Sequence, residues 1–100
     1  MQKNFRTYNL AVEFYRQTRA LTLPRHLQDQ CQRASSSIAL NLAEGAARTT
    51  RREQRRFYKI AFASLREVQA ILDLADRKLE LHELADKLAA HLYKLIKNTV

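Results

Sequence analysis

The residues of this chain best placed to do chemistry are cations: Arg51, Arg52, Arg55, Lys59 and Arg66. At about 100° per residue, Arg52, Arg55, Lys59 and Arg66 gather on one side of a helix, with Arg51 and Arg56 at its margins. Guanidinium and ammonium groups set along one side can neutralise several phosphates, each contact steepening the dependence on salt. Whole-chain charge points the same way. Eighteen Lys and Arg stand against ten Asp and Glu, a formal +8 over 100 residues. Such a balance favours polyanions, nucleic acid first and acidic protein or membrane surface second. The plain alternative is a solvated helix face. No helix-turn-helix, zinc-ligand set or stacking platform accompanies the cations, so any nucleic-acid contact is expected to be electrostatic and shape-led.

Other chemistry finds little support. Di-iron bundles carry Glu-x-x-His pairs on facing helices. Here Leu23, Leu79 and Leu88 stand three residues before His26, His82 and His91. No metal site and no cofactor are therefore expected. Cys31 falls in an apolar stripe, where a thiol is a small core group and not a nucleophile. Ser35-Ser36-Ser37 reads as a run on a helix, and one glycine cannot make a phosphate-gripping loop. The expectation is a protein that is not an enzyme. A polar stripe, Arg33, Ser37, Asn41 and Glu44, flanks the apolar one, and the third helix offers Arg56, Ser64 and Glu67. Buried polar groups persist only when satisfied, since a missing partner costs about 1–3 kcal/mol. These seven residues are expected to form a buried network in which Arg33 or Arg56 neutralises Glu44 or Glu67 and Asn41 bridges. Its rival is a ligand pocket; register fixing is the favoured role.

The elements that must position these groups are helices. One Gly, one Pro and no Trp leave little from which to build hairpins, while Ala, Leu, Arg, Gln and Glu fill the long runs. Helix one is expected from about Asn4 to Ala20, with Phe5, Tyr8, Val12 and Tyr15 on one face and Leu10, Phe14 and Leu21 on the other. Pro24 opens helix two, whose stripe is Cys31, Ala34, Ile38 and Leu42, and Gly45 is its expected left-handed cap. Thr50 to Glu53 has capping-box spacing and starts helix three, which runs to about Lys78 with Phe57, Ala61, Ser64, Val68, Ile71, Leu72 and Ala75 inward. Leu79 to Leu81 makes a tight turn. Helix four, about Leu81 to Lys97, turns Leu84, Leu88, Leu92 and Leu95 inward. Short links make this an all-α, antiparallel up-down-up-down four-helix bundle, a single domain over residues 1–100. Leu10 and Phe14, with Leu40, Ala43 and Ala47, occupy sides that a lone subunit does not need, so they are expected at a homo-oligomer interface. With no signal-peptide pattern and no apolar run near 18 residues, a soluble, cytoplasmic protein without a membrane partner is expected.

Three strings carry a resemblance: Leu23-Pro24; Gln30-x-x-Arg33-Ala34-x-x-Ser37-Ile38-x-x-Asn41-x-Ala43-Glu44-Gly45; and Glu53-x-x-Arg56-Phe57-x-x-x-Ala61-x-x-Ser64-x-x-Glu67. They resemble the four-helix-bundle proteins encoded in intervening sequences of bacterial 23S ribosomal RNA genes, a superfamily that includes accessory variability proteins of diversity-generating retroelements. The likeness covers about Phe5 to Lys78, and its most specific part is the string from Ser37 to Gly45. Ala63 departs from it, standing where the family usually has glycine. The resemblance implies a homopentamer with a basic surface, and for the retroelement branch binding to a reverse transcriptase and to nucleic acid. It implies no catalytic role. Two functions follow as expectations: accessory nucleic-acid binding, or a scaffold that docks a partner such as a reverse transcriptase, with nucleic-acid contact incidental.

Overall fold

Long runs of helix formers become four α-helices, and the breaks fall where proline, threonine and a left-handed residue interrupt them. The computed structural model describes residues 5–100. Asn4, the expected start of the first helix, and the side chains of Phe5 and Lys78 lie outside the described residues. The helices are α1 (Phe5–Arg19), α2 (Arg25–Ala46), α3 (Arg51–Leu74) and α4 (His82–Asn98), with a 3-10 turn at Lys78–Leu81 before the last. No strand occurs among the described residues. The α2–α3 pair packs most extensively; α1 rests on α2, and α4 closes the bundle against α3 and α1. One apolar cluster, drawn from all four helices, fills the middle.

Helix α1 corrects the sequence expectation. Its buried residues are Thr7, Ala11, Phe14 and Thr18, spaced four, three and four. Phe14, expected between subunits, is fully buried inside its own chain. Leu10 is only half-buried, as are Tyr8, Val12 and Tyr15. The small and hydroxylated residues around Phe14 mark the true inward stripe; counting large apolar residues alone had favoured the tyrosines. Thr18 tolerates burial because its hydroxyl donates within reach of the Tyr15 carbonyl at 2.8 Å and the Ser35 hydroxyl at 3.1 Å. Cys31 lies beside this pair. Burial pushes its thiol above the ordinary range, against a smaller downward pull from the Thr18 hydrogen bond. Such a thiol is a packing group.

The α2–α3 seam mixes branched apolar residues with small ones, and it is closest where Ser37 meets Ser64 and Gly45 meets Tyr58. Ala34, Ile38 and Leu42 of α2 and Ala61, Leu65 and Val68 of α3 are all buried in the one core cluster. Tyr58, not Phe57, continues the α3 stripe toward the Gly45 end: Tyr58 is buried and Phe57 half-buried. In α4 the inward residues are Ala85, Leu88, Ala89 and Leu92, with Leu84 and Leu95 at the edge of the core.

Gly45 is not a left-handed cap. No glycine has a positive φ among the described residues, and α2 continues through it to Ala46. Its role is steric. A Cβ built at Gly45 would lie 2.6 Å from Tyr58 Cε1, 2.9 Å from Cδ1 and 3.0 Å from Phe57 Cβ. The ring is buried, so a Cβ here forces it to shift. Alanine would gain about 1 kcal/mol in helix propensity, yet overpacking a close seam costs about 1–3 kcal/mol. Gly45→Ala is expected to lower Tm by about 5 °C, a net loss of about 1 kcal/mol for a chain of this size. A higher melting point in the variant would refute the close-approach account.

The left-handed position falls instead at Asp76, with φ 57°. Arg77 N–H donates to Leu72 O at 2.8 Å and Asp76 N–H to Asp73 O at 3.1 Å, the paired bonds of a Schellman stop. This ends α3 at Leu74, four residues before the expected Lys78. Arg77 then ties the turn together: its guanidinium binds both carboxylate oxygens of Glu80 and donates to Thr22 O at 2.9 Å. At the other end of α3 the Thr50 hydroxyl accepts from Glu53 N–H at 3.2 Å, completing one half of the capping box. The Glu53 carboxylate turns to Arg56 instead.

Candidate nucleic-acid interface

Six cations and one acid occupy residues 51–66, the first two turns carrying most of them. Beyond Arg66, α3 holds Glu67 and Asp73 and no cation. Positive charge therefore collects at one end of the bundle, where Arg48 and the last α4 lysines, Lys94 and Lys97, also sit.

The five expected phosphate-binding residues divide into three kinds. Arg52 and Lys59 are exposed and make no hydrogen bond or ion pair among the described residues. Arg66 is exposed, but Nη1 donates to Gln69 Oε1 at 2.6 Å and its guanidinium lies 4.8 Å from the centroid of the Phe62 ring. Arg51 and Arg55 have a structural task as well. Arg51 Nη1 donates to Val100 O at 2.6 Å, just past the end of α4, and Arg55 Nε to Ile96 O at 3.3 Å, in its last turn, so both tie the start of α3 to the end of the chain's last helix. Each guanidinium has five N–H donors and uses one here, so both retain capacity for a phosphate.

Arg56 belongs elsewhere. It pairs with Glu53, three residues earlier, and stands 4.4 Å from the Phe57 ring centroid; Arg48, paired with Glu44, stands over the same ring at 5.1 Å. Hydrogen bonding from Arg56 holds the Glu53 carboxyl below its ordinary range. Glu53 is half-buried, and this support is present above the usual carboxylate range and fades as pH falls through the lowered value.

The expected buried charge network is accordingly corrected. Neither Arg56 nor Arg33 reaches Glu44, which binds Arg48, four residues on and just past the end of α2. Arg33 does approach Glu67 across the seam, at 4.0 Å, but their side chains are 71% and 51% exposed. Such a pair is worth about 0–1 kcal/mol. The neutral members do meet: Ser37 and Ser64 hydroxyls lie 2.9 Å apart, and Asn41 Nδ2 donates to Ser37 O at 2.8 Å and to its hydroxyl at 2.9 Å. Desolvation explains the division. Hydroxyls and an amide satisfy one another in a half-buried seam, whereas carboxylates take the nearest exposed arginine one turn away.

Of the expected interface residues, Leu40, Ala47 and the half-buried Ala43 remain accessible on the outer side of α2, with Leu40 66% exposed. Sequence reasoning passed over Arg6, Arg48 and Lys94 at the basic end. The signal was present in the order of the helices, which returns the end of α4 to the start of α1 and of α3.

Among the described residues no group of three or more His, Cys, Asp or Glu is arranged to hold a metal ion, and no helix is long and apolar enough to cross a membrane. The fold and its surface define a class, a four-helix protein with an arginine-rich third helix. The chain belongs to the 23S rRNA-intervening sequence protein family, whose family model matches residues 3–100. Comparison with curated proteins and with solved structures gives no match.

Proposed function

We propose that this chain is a non-enzymatic, cytoplasmic accessory protein that binds RNA or DNA electrostatically through Arg51, Arg52, Arg55, Lys59 and Arg66. The supporting observation is the clustering of cations on the exposed side of α3, with Arg52 and Lys59 making no hydrogen bond or ion pair among the described residues. The working unit is a homo-oligomer of antiparallel up-down-up-down bundles, a homopentamer by family likeness. Leu40, with Ala43 and Ala47 beside it, supports an interface on the outer side of α2, and Leu74, 76% exposed, adds apolar surface on α3. Copies joined in this way repeat the basic face and multiply avidity.

The test is binding to labelled RNA and duplex DNA across 50–300 mM salt. Three to five phosphate contacts predict a slope of about −3 to −4.5 in log K against log salt for duplex DNA. No binding at the lowest salt, or a slope near zero, overturns the proposal. Light scattering at micromolar concentration is expected to give about five times the 11.7 kDa chain mass.

A second reading rests on exposed Leu79 and Tyr93, 80% and 62% accessible, together with the basic face. In it the bundle is a scaffold for an acidic protein partner such as a reverse transcriptase. Partners that survive nuclease treatment in a pull-down would favour this reading over the first.

A further inference from the structure

At the basic end the first residues of α1 and α3 and the last of α2 and α4 surround an open cleft of about 1120 Å³. Its side-chain charge is one-sided. Arg6, Arg51 and Lys94 line it, with His91 beside them, and no Asp or Glu does so among the described residues. Helix dipoles do not account for an anion preference here, because two helix starts and two helix ends oppose one another. The side-chain cations decide the potential. Arg6 and Lys94 are exposed and make no hydrogen bond or ion pair among the described residues, while Arg51 gives one N–H to Val100 O. His91 Nδ1 donates to Lys87 O at 2.9 Å, which fixes the tautomer and leaves Nε2 as the ring's other polar atom.

We propose that this cleft binds a phosphate monoester. Three formal positive charges exceed what one carboxylate balances, whereas a monoester carries about −1.5 to −2 at neutral pH and offers three acceptor oxygens. Two guanidinium forks match such an oxygen triangle. The volume is far larger than a bare phosphate needs and lies just above the range of about 300–1,000 Å³ usual for small-molecule sites. Tyr58 and Leu95 give the wall an apolar part against which a sugar or base can lie. Two sources share this chemistry: a free mononucleotide and the phosphorylated end of a nucleic-acid strand. The cleft extends the functional reading to a site off the α3 face, and only Arg51 belongs to both.

The experiment compares four probes by calorimetry: adenosine 5′-monophosphate against adenosine, and a 5′-phosphorylated oligonucleotide against its 5′-hydroxyl form. Wild type is set beside Arg6→Gln/Lys94→Gln and beside Arg52→Gln/Lys59→Gln, whose residues lie outside the cleft. Arg51 is left intact because it holds Val100. Wild type is expected to prefer the phosphorylated member of at least one pair by tenfold or more in Kd, about 1.4 kcal/mol. The cleft variant should lose that preference and the α3 variant should keep it. Preference within the nucleotide pair assigns the small molecule; preference within the oligonucleotide pair alone assigns the strand end. Equal affinity within both pairs, or equal loss in the two variants, overturns the proposal. Binding of the 5′-hydroxyl oligonucleotide is read separately, so failure of the α3 surface and failure of the cleft are distinguishable. Thermal melts of both variants should match wild type, since all four replaced side chains are exposed; should the double cleft variant melt early, Lys94→Gln alone carries the comparison.

Discussion

Phe14→Ala is expected to cost about 3–5 kcal/mol, the usual range for emptying a core aromatic site. Phe14 is fully buried, and the residues around it come from the same chain, with Ala11 and Thr18 one turn away on either side. For a domain whose whole stability is about 5–15 kcal/mol, this is most of the margin at the lower end. Circular dichroism should show Tm falling by at least about 12 °C, at 4–8 °C per kcal/mol for a chain of this length. Leu40→Ala makes the contrast. Leu40 is two-thirds exposed within the chain, so its loss should leave subunit stability within about 0.5 kcal/mol and act on assembly alone. Light scattering and melting must therefore separate the two variants: Phe14→Ala unfolds the subunit and Leu40→Ala changes particle mass. If Phe14→Ala instead kept its melting point and broke the oligomer, the aromatic ring would belong to a contact between copies.

That contrast shows what the sequence carried. Pro24, the Thr50–Glu53 spacing and the long helix-forming runs set the helix count and most boundaries, because each acts through local backbone chemistry. The apolar stripe of α2 was legible for the same reason, as its period repeats over three turns. Phe14 was misplaced because α1 has apolar groups on both sides, and the decision between them comes from neighbours distant in sequence. Gly45 failed in a similar way: glycine near a helix end suggests a cap, and only the Tyr58 ring across the seam reveals a steric need. The cations were visible as a face, yet the division between Arg52 or Lys59 and the carbonyl-bound Arg51 or Arg55 depends on where α4 ends. The apparent charge network looked buried on a helical wheel. In three dimensions Arg33 and Glu67 sit at the rim, and exposed partners one turn away satisfy Glu44 and Glu53.

Arg52→Glu/Lys59→Glu is the second large effect expected, and the division just described selects these two residues. Reversing Arg51 or Arg55 would remove a donor from the α4 carbonyls, confounding weaker binding with a loosened bundle. Arg52 and Lys59 are exposed and make no hydrogen bond or ion pair among the described residues, so their reversal should change stability by no more than a surface substitution does, about 0.5 kcal/mol in either direction. Two phosphate contacts vanish and two repulsive charges replace them. At about 1 kcal/mol for each cation near an anionic surface, the pair lowers affinity for duplex DNA by at least about thirtyfold, and the salt slope should become shallower by about two. Repetition of the face in an oligomer enlarges the loss, because every copy carries both reversals. Salt-dependent binding of undiminished strength in this variant, with an intact melting curve, would remove the exposed side of α3 from nucleic-acid contact and leave the cations of the bundle's end as the polyanion site.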